Sequence, residues 1–204
     1  MKPALIIVAG PNGAGKTTIT EKLLRHEWMD GCVYINPDII AQEKFGGWND
    51  HTAIIKAARH AQEIREDCLL KSKSMAFETV FSIPEKVEFV QRAKDAGFFV
   101  RLFFICTNDP TINAQRVAMR VMKGGHDVPI QKIINRYYRS IAHCLEAVPV
   151  VDRAYFYDNS KTDCDPVLLF KTVEGEIAKV YNKLTPWATD IASQISGNDK
   201  DTPC

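Results

Sequence analysis

The sequence predicts an α/β fold built on a parallel central sheet of about five strands. Two observations carry this. Short strand-like segments alternate with longer segments of helical period. The strand-like runs, such as Val100-Arg101-Leu102-Phe103-Phe104-Ile105, are nearly continuous in apolar character, as strands covered on both faces require. The strands are expected at 5–9, 32–35, 74–79, 98–106 and 154–157. Between them, Ile54, Ala58, Ala61, Ile64 and Cys68 recur at helical spacing, with Lys56, Arg59, Glu63 and Glu66 mostly opposite. A second amphipathic helix carries Ile130, Ile134, Tyr137, Ile141 and Leu145, with Pro129 in its first turn. Near the end, 167–173 and 177–181 flank Glu174-Gly175-Glu176 and read as a C-terminal β-hairpin.

With 204 residues, 46% hydrophobic and 25% charged, the chain has the balance of an ordinary globular protein able to bury a full core. One domain is expected over 1–192, with a lid around 111–143 and a flexible tail over 193–204. The formal charge of +1 excludes a strongly basic footprint over the whole chain, so a nucleic-acid partner is not expected. Cysteines at 32, 68, 106, 144, 164 and 204 form no CxxC pair, which points to reduced thiols and a cytoplasmic location. The apolar start, Ala4 to Ala9, is only six residues long and runs into Gly10-Pro11-Asn12-Gly13 rather than a cleavage site. It reads as a buried strand. No stretch approaches the ~18–20 apolar residues of a membrane span.

Gly10-Pro11-Asn12-Gly13-Ala14-Gly15-Lys16-Thr17 matches G-x-x-x-x-G-K-[ST] between an apolar strand and a helical pattern. Glycines let successive N–H groups converge on phosphate oxygens, and the helix beginning near Lys16 aims its positive end at the same anion. The nucleotide is therefore expected on Gly10, Pro11, Asn12, Gly13, Ala14, Gly15, Lys16, Thr17 and Thr18. Lys16 supplies charge at the β- and γ-phosphates, and the Thr17 hydroxyl is the expected Mg²⁺ ligand. The fold class narrows accordingly to a P-loop NTPase three-layer sandwich with a helical lid. The sequence lacks the N/TKxD of switch GTPases, the LSGGQ-like signature of transporter ATPases and an apolar strand ending in Asp-Glu. These absences favour a small kinase using ATP, with GTP also open.

Asp38, in Asn36-Pro37-Asp38, follows the second strand at the carboxyl edge of the sheet, where ligands bind. It is either a proton acceptor for an attacking hydroxyl or the cap of the next helix. Glu78 and Thr79 end the third strand, where a carboxylate is hard to bury and suits orienting an acceptor. Arg116 and Arg120 share a helix face. Lys123-Gly124-Gly125-His126-Asp127-Val128-Pro129 then makes a glycine hinge to a helix bearing Arg136, Arg139 and His143. Arginines on two hinged helices suit a lid that grips the γ-phosphate and expels water. Asp158-Asn159-Ser160 either borders the base or forms an Asx turn. Trp28, Trp48 and Trp187 are scattered and read as packing residues.

With these segments in hand, the sequence resembles the zeta-toxin-like family of P-loop kinases. The resemblance rests on 9–18, Ile35-Asn36-Pro37-Asp38, Phe77-Glu78-Thr79, the stretch from Arg116 to Pro129, and Ile134-Asn135-Arg136-Tyr137-Tyr138-Arg139-Ser140. It implies transfer of the ATP γ-phosphate to the 3′-hydroxyl of a nucleotide sugar, UDP-N-acetylglucosamine. It further implies Asp38 as the acceptor's base, Glu78 and Thr79 as acceptor-orienting groups, and lid arginines on the γ-phosphate, from Arg116 and Arg120 at the first lid motif and Arg136 and Arg139 at the second. The expected catalytic set is thus Lys16, Asp38, Arg116 and Arg120, with Glu78, Thr79, Arg136 and Arg139 binding substrate. An antitoxin protein is the partner the resemblance brings with it. A nucleotide-binding regulatory ATPase without a small-molecule acceptor is the alternative. A polynucleotide end kinase is a third reading, weakened by the charge balance.

Overall fold

The computed structural model describes residues 2–47, 50–124 and 128–197. Trp48, the hinge residues Gly125, His126 and Asp127, and residues 198–204 of the expected tail lie outside the described residues. The strands are β1 (Ala4–Ala9), β2 (Val33–Ile35), β3 (Met75–Thr79), β4 (Phe99–Cys106), β5 (Arg153–Asp158), β6 (Val167–Val173) and β7 (Glu176–Val180). The helices are α1 (Lys16–Leu23), α2 (Pro37–Phe45), α3 (His51–Leu70), α4 (Pro84–Asp95), α5 (Pro110–Met122), α6 (Ile130–Ala147) and α7 (Pro186–Gly197). Ser193 to Gly197, expected in the tail, thus form the end of α7.

The strands join in one sheet of order β2-β3-β1-β4-β5-β6-β7. The first five pair in parallel. The expected hairpin continues the same sheet in antiparallel fashion rather than standing apart from it. β1 lies centrally, with β3 on one side and β4 on the other. That arrangement opens a crevice at the carboxyl ends of the strands, where the phosphate loop leaves β1.

Side-chain alternation sorts the core into two layers. Leu5, Ile7 and Ala9 of β1, with Leu102 and Phe104 of β4, face a large cluster built with α2, α3, α4, α6 and α7. Ile6, Val8, Phe103 and Ile105 face a smaller cluster covered by Ile19 and Leu23 of α1, with Trp28 packed against it. Helices α5 and α6 share a third cluster of Val117, Val128 and Ile133, so the lid has a small core of its own.

Two helices are rotated relative to the faces expected from their largest side chains. The buried stripe of α3 runs Ala53, Ala57, Ala61, Arg65 and Cys68, while Ala58 is exposed. That of α6 runs Ile133, Tyr137, Ser140, Cys144 and Ala147, leaving Ile130 exposed. The alanines of the α3 stripe let it pack closely on α2, and larger aliphatics such as Ile64 and Leu69 pack at its margins. Pro129 stands one position before α6 as its N-cap.

Five cysteines, Cys32, Cys68, Cys106, Cys144 and Cys164, are free thiols. No helix among the described residues is long and apolar enough to cross a membrane.

The C-terminal helix is anchored through a carboxylate. Asp158, at the end of β5, accepts from Trp187 Nε1 at 2.9 Å and from the Ser160 hydroxyl at 2.7 Å. The Ser160 N–H also donates to it, closing an Asx turn. Trp187 is buried against Phe104. A hydrogen bond from a buried indole to a charged acceptor is among the stronger kinds. Trp187→Phe, which removes that bond and part of the ring volume, is expected to cost about 2–4 kcal/mol in equilibrium urea denaturation. A loss below about 0.5 kcal/mol would show that Asp158 is satisfied without the indole.

Candidate active site

The phosphate loop is gripped by three strand ends. Gly10 leaves β1 with φ of 148°, and a side chain there would put Cβ 2.1 Å from the Ile105 carbonyl oxygen. Only glycine allows β4 to pass so close. The Gly10 N–H donates to the Thr79 carbonyl at the end of β3 (3.3 Å). Asn113 Nδ2, from the first turns of α5, donates to the Asn12 carbonyl (2.6 Å). Asn159 Nδ2, just past β5, donates to the Ala14 carbonyl (2.8 Å). Gly15 has φ of 88°, and its missing side chain makes room for that Asn159 amide. Because side chains take these loop carbonyls, the loop N–H groups are left to converge on an anion, beside the N-terminus of α1.

Asn113 is itself held. It is fully buried, accepts from the Thr107 hydroxyl, and the Thr107 carbonyl accepts from Tyr137 of α6 at 2.5 Å. Desolvation raises the Tyr137 pKa, so the phenol stays a donor. The sequence places Tyr137 on the apolar face of its helix but assigns no role in the site to Asn113, Thr107 or the Tyr137 hydroxyl. The available signal was a polar Asn113 four residues before Val117 on the buried face of α5.

Lys16 is half-buried, and its ammonium donates to the Gly10 and Pro11 carbonyls at 2.9 and 3.1 Å. Burial brings its pKa down to about 8. Glu78 and Asp38 oppose that shift, while Arg120 and Arg136 reinforce it. Four side chains from α2, β3, α5 and α6 therefore converge on the Lys16 charge. They belong to the set expected from sequence.

The carboxylates are held differently. Tyr34 of β2 donates to Glu78 Oε1 (3.1 Å), and Asn36 Nδ2 donates to the Tyr34 oxygen (3.0 Å). Tyr34 keeps its proton because burial, with Glu78 next to it, raises its pKa. Asn36, not Asp38, is the cap of α2: its Oδ1 accepts from the Asp38 N–H at 2.9 Å. Asp38 sits exposed in the first turn, and its carboxylate accepts no hydrogen bond among the described residues. The capping alternative for Asp38 is thereby removed. Asp109 likewise caps α5, accepting from the Thr111 N–H.

The arginines divide. Arg136 reaches the loop and donates to Asn12 Oδ1 (3.3 Å). Arg120 is exposed on α5 and acts on Lys16 through space. Arg116 does not join them at the phosphate site: its guanidinium donates to the Asn159 and Lys161 carbonyls (2.7 and 3.0 Å), bracing the segment that holds the loop. Arg139 lines a cleft of about 470 Å³ with Ser82, Ile83, Pro129, Lys132 and Arg136. That volume suits a small-molecule ligand. Thr79 accepts from the Phe81 N–H (3.1 Å), so its hydroxyl shapes the turn out of β3. Phe81 is buried with φ of 59°, a strained conformation for a bulky residue, stabilised in part by that bond. Thr17 is exposed and Thr18 half-buried, and neither side chain is hydrogen-bonded among the described residues.

Comparison with known proteins places this geometry. The sequence model of the zeta toxin family matches residues 1–163. An uncharacterized protein of Haemophilus influenzae is 30% identical over 138 residues, covering 67% of this chain and 94% of its own. Among solved structures, the PezAT toxin–antitoxin system of Streptococcus pneumoniae aligns with a TM-score of 0.64 at 18% identity, over 95% of this chain and 78% of that one. An AvrRxo1-ORF1:-ORF2 structure with ATP aligns with a TM-score of 0.69 at 18% identity, over 95% of this chain. This chain spans 64% of the length of that one. The two structures establish the fold, and the match over most of the chain establishes the family: the protein belongs to the zeta toxin family.

Proposed function

We propose that the protein is an ATP-dependent phosphotransferase that moves the γ-phosphoryl group to a hydroxyl of a small molecule. The observation that carries this reading is the convergence of Asp38, Glu78, Arg120 and Arg136 on Lys16 at the mouth of the phosphate loop. A switch or regulatory ATPase has no need of an unencumbered carboxylate opposite the phosphate site. A 3′-hydroxyl of a nucleotide sugar such as UDP-N-acetylglucosamine is the acceptor the family membership favours, and the cleft bordered by Arg136 and Arg139 supports a ligand of small-molecule size. An antitoxin partner is proposed on the same footing, from the PezAT likeness.

In this mechanism the loop N–H groups and Lys16 hold the β- and γ-phosphates, and Arg120 and Arg136 offset charge on the transferring oxygens. Asp38 accepts the proton of the acceptor hydroxyl as its oxygen bonds to the γ-phosphorus. The bond to the β–γ bridging oxygen breaks, and its electron pair leaves with ADP. Glu78, fixed by Tyr34, orients the acceptor. Arg116 acts by holding the Asn159 segment, and Thr79 by shaping the β3 exit. The Thr17 hydroxyl, which has no hydrogen bond among the described residues, would hold Mg²⁺, and the ion would neutralise phosphate charge.

General-base catalysis is worth roughly 10²–10⁴ in rate. Asp38→Asn should lower phosphorylation of UDP-N-acetylglucosamine, or of the acceptor found in a panel of nucleotide sugars, by about that factor. Its melting temperature should hold, because Asn36 caps the helix. Full transfer by Asp38→Asn would remove the mechanism.

The Lys16 pKa makes a second prediction. In the free protein the ammonium loses its proton as pH rises through about 8. A bound triphosphate favours the charged form, so binding above that pH must take up a proton, and affinity must fall as pH rises. Calorimetry of ATP binding at pH ~9, in two buffers of different ionisation enthalpy, should register net proton uptake. No buffer dependence would place Lys16 away from the phosphates.

A further inference from the structure

Helix α6 touches both halves of the site from one of its faces. Arg136 donates to Asn12 Oδ1 in the phosphate loop at 3.3 Å. Ser140 lies four residues on, one turn along the same face. It is fully buried, and its hydroxyl donates to the Val80 carbonyl. Val80 is in the middle of the chain that leaves β3 toward α4. Glu78 stands two residues before it. Ser82 and Ile83, two and three residues after it, border the cleft that Arg139 lines. The segment 78–83 thus carries the acceptor-orienting carboxylate at one end and walls the cleft at the other, and Ser140 holds it at its midpoint.

The path of that segment is set by its surroundings rather than by local preference. Phe81, with φ of 59°, takes a conformation that a bulky residue adopts only where neighbours impose it. Its N–H is held by the Thr79 hydroxyl (3.1 Å), and the Thr79 carbonyl accepts from the Gly10 N–H (3.3 Å). The Ser140 bond adds a tie from the lid side. Helices α5 and α6 share a core of their own, so displacement of one is felt by the other. A γ-phosphate on the loop competes for Arg136, because a charge-assisted bond to phosphate is stronger than the bond to the neutral Asn12 amide. Four helical residues rise only about 6 Å, so a shift of the backbone at Arg136 reaches Ser140 and, through it, Val80. We propose that Ser140 is a positioning residue that couples the nucleotide to the acceptor side. Occupation of the phosphate loop, sensed by Arg136, fixes the segment 78–83 through the Ser140–Val80 hydrogen bond. The acceptor consequently binds more tightly to the nucleotide-loaded protein than to the free one, and by linkage it strengthens nucleotide binding by the same factor. That 78–83 is the acceptor side rests on the phosphotransferase reading; the coupling does not.

The test follows hydrogen exchange by mass spectrometry in peptides spanning 79–83, in the full chain with and without a non-hydrolysable ATP analogue. In the wild type the analogue should slow exchange there by about fivefold or more, the lower end of ordinary coupling between sites. In Ser140→Ala the analogue should bind as tightly as in the wild type, since the loop N–H groups and Lys16 are untouched, and the slowing should be lost. Ser140→Cys keeps the size and a weak donor, so it should retain only part of the slowing, and it serves if Ser140→Ala does not fold. Trp187→Phe, destabilised at α7, should keep the full slowing, which separates loss of coupling from loss of global stability. A hydroxyl that merely satisfies the Val80 carbonyl would, when lost, speed exchange equally with and without the analogue. That result, or no effect of the analogue on the wild type, overturns the coupling. A second arm measures transfer to UDP-N-acetylglucosamine, or to the acceptor found in the nucleotide-sugar panel. Ser140→Ala should raise the acceptor KM by about fivefold or more while ATP affinity holds. An unchanged acceptor KM overturns the assignment of 78–83 to the acceptor. Absence of product from the wild type would count against the phosphotransferase reading, and with it that assignment, while the exchange measurement still decides the coupling.

Discussion

A partly buried lysine held on its own loop carbonyls sets the terms for this structure. Lys16 donates to Gly10 and Pro11 oxygens, and burial weakens its hold on the proton. Keeping a cation there before any phosphate arrives requires a loop that cannot relax around it. The surrounding fold supplies that rigidity from separate directions: the Thr79 carbonyl, the Asn113 amide and the Asn159 amide each fix one peptide of the loop. Preorganisation of this kind puts the ordering cost into folding rather than into binding.

The same braces connect the loop to the lid. Asn12 is held through its carbonyl by Asn113 on α5 and through its side chain by Arg136 on α6. Tyr137, next to Arg136, steadies the Thr107 segment that orients Asn113. A movement of α5 and α6 is therefore felt at Asn12, in the middle of the phosphate loop. Arg116 extends this bracing to the far side by fixing the backbone that presents Asn159.

Much of this was legible in the sequence because the signals were local. The phosphate loop is a contiguous motif with a required strand before it and helix after it, and the apolar runs of β1 and β4 admit few other readings. The Glu78 and Asp38 positions followed from strand ends, a topological rule. Pairings between distant segments were not legible. Nothing in the spacing of Arg116 and Arg120 reveals that one is captured by carbonyls at 159 and 161. Where large side chains sit at the margin of a buried stripe and small ones at its centre, as in α3, the apolar pattern points one residue away from the buried face. That shift concealed Arg65, which a polar outer face would have explained away. Which residue caps α2 is not legible in the pattern, since Asn36 and Asp38 both suit a helix start; the hydrogen bond from the Asp38 N–H to Asn36 Oδ1 identifies Asn36 as the cap.

In the proposed reaction the γ-phosphoryl group passes to an organic hydroxyl rather than to water. Incubating the protein with ATP carrying ¹⁸O in its γ-phosphoryl oxygens and a metabolite extract, then reading the products by mass spectrometry, tests this directly. Transfer to an organic hydroxyl should yield a new organic phosphate that carries the label and is missing when Lys16→Ala replaces the wild type. Label found only in ATP and inorganic phosphate, with ADP accumulating, would contradict it and leave a nucleotide-hydrolysing switch in its place.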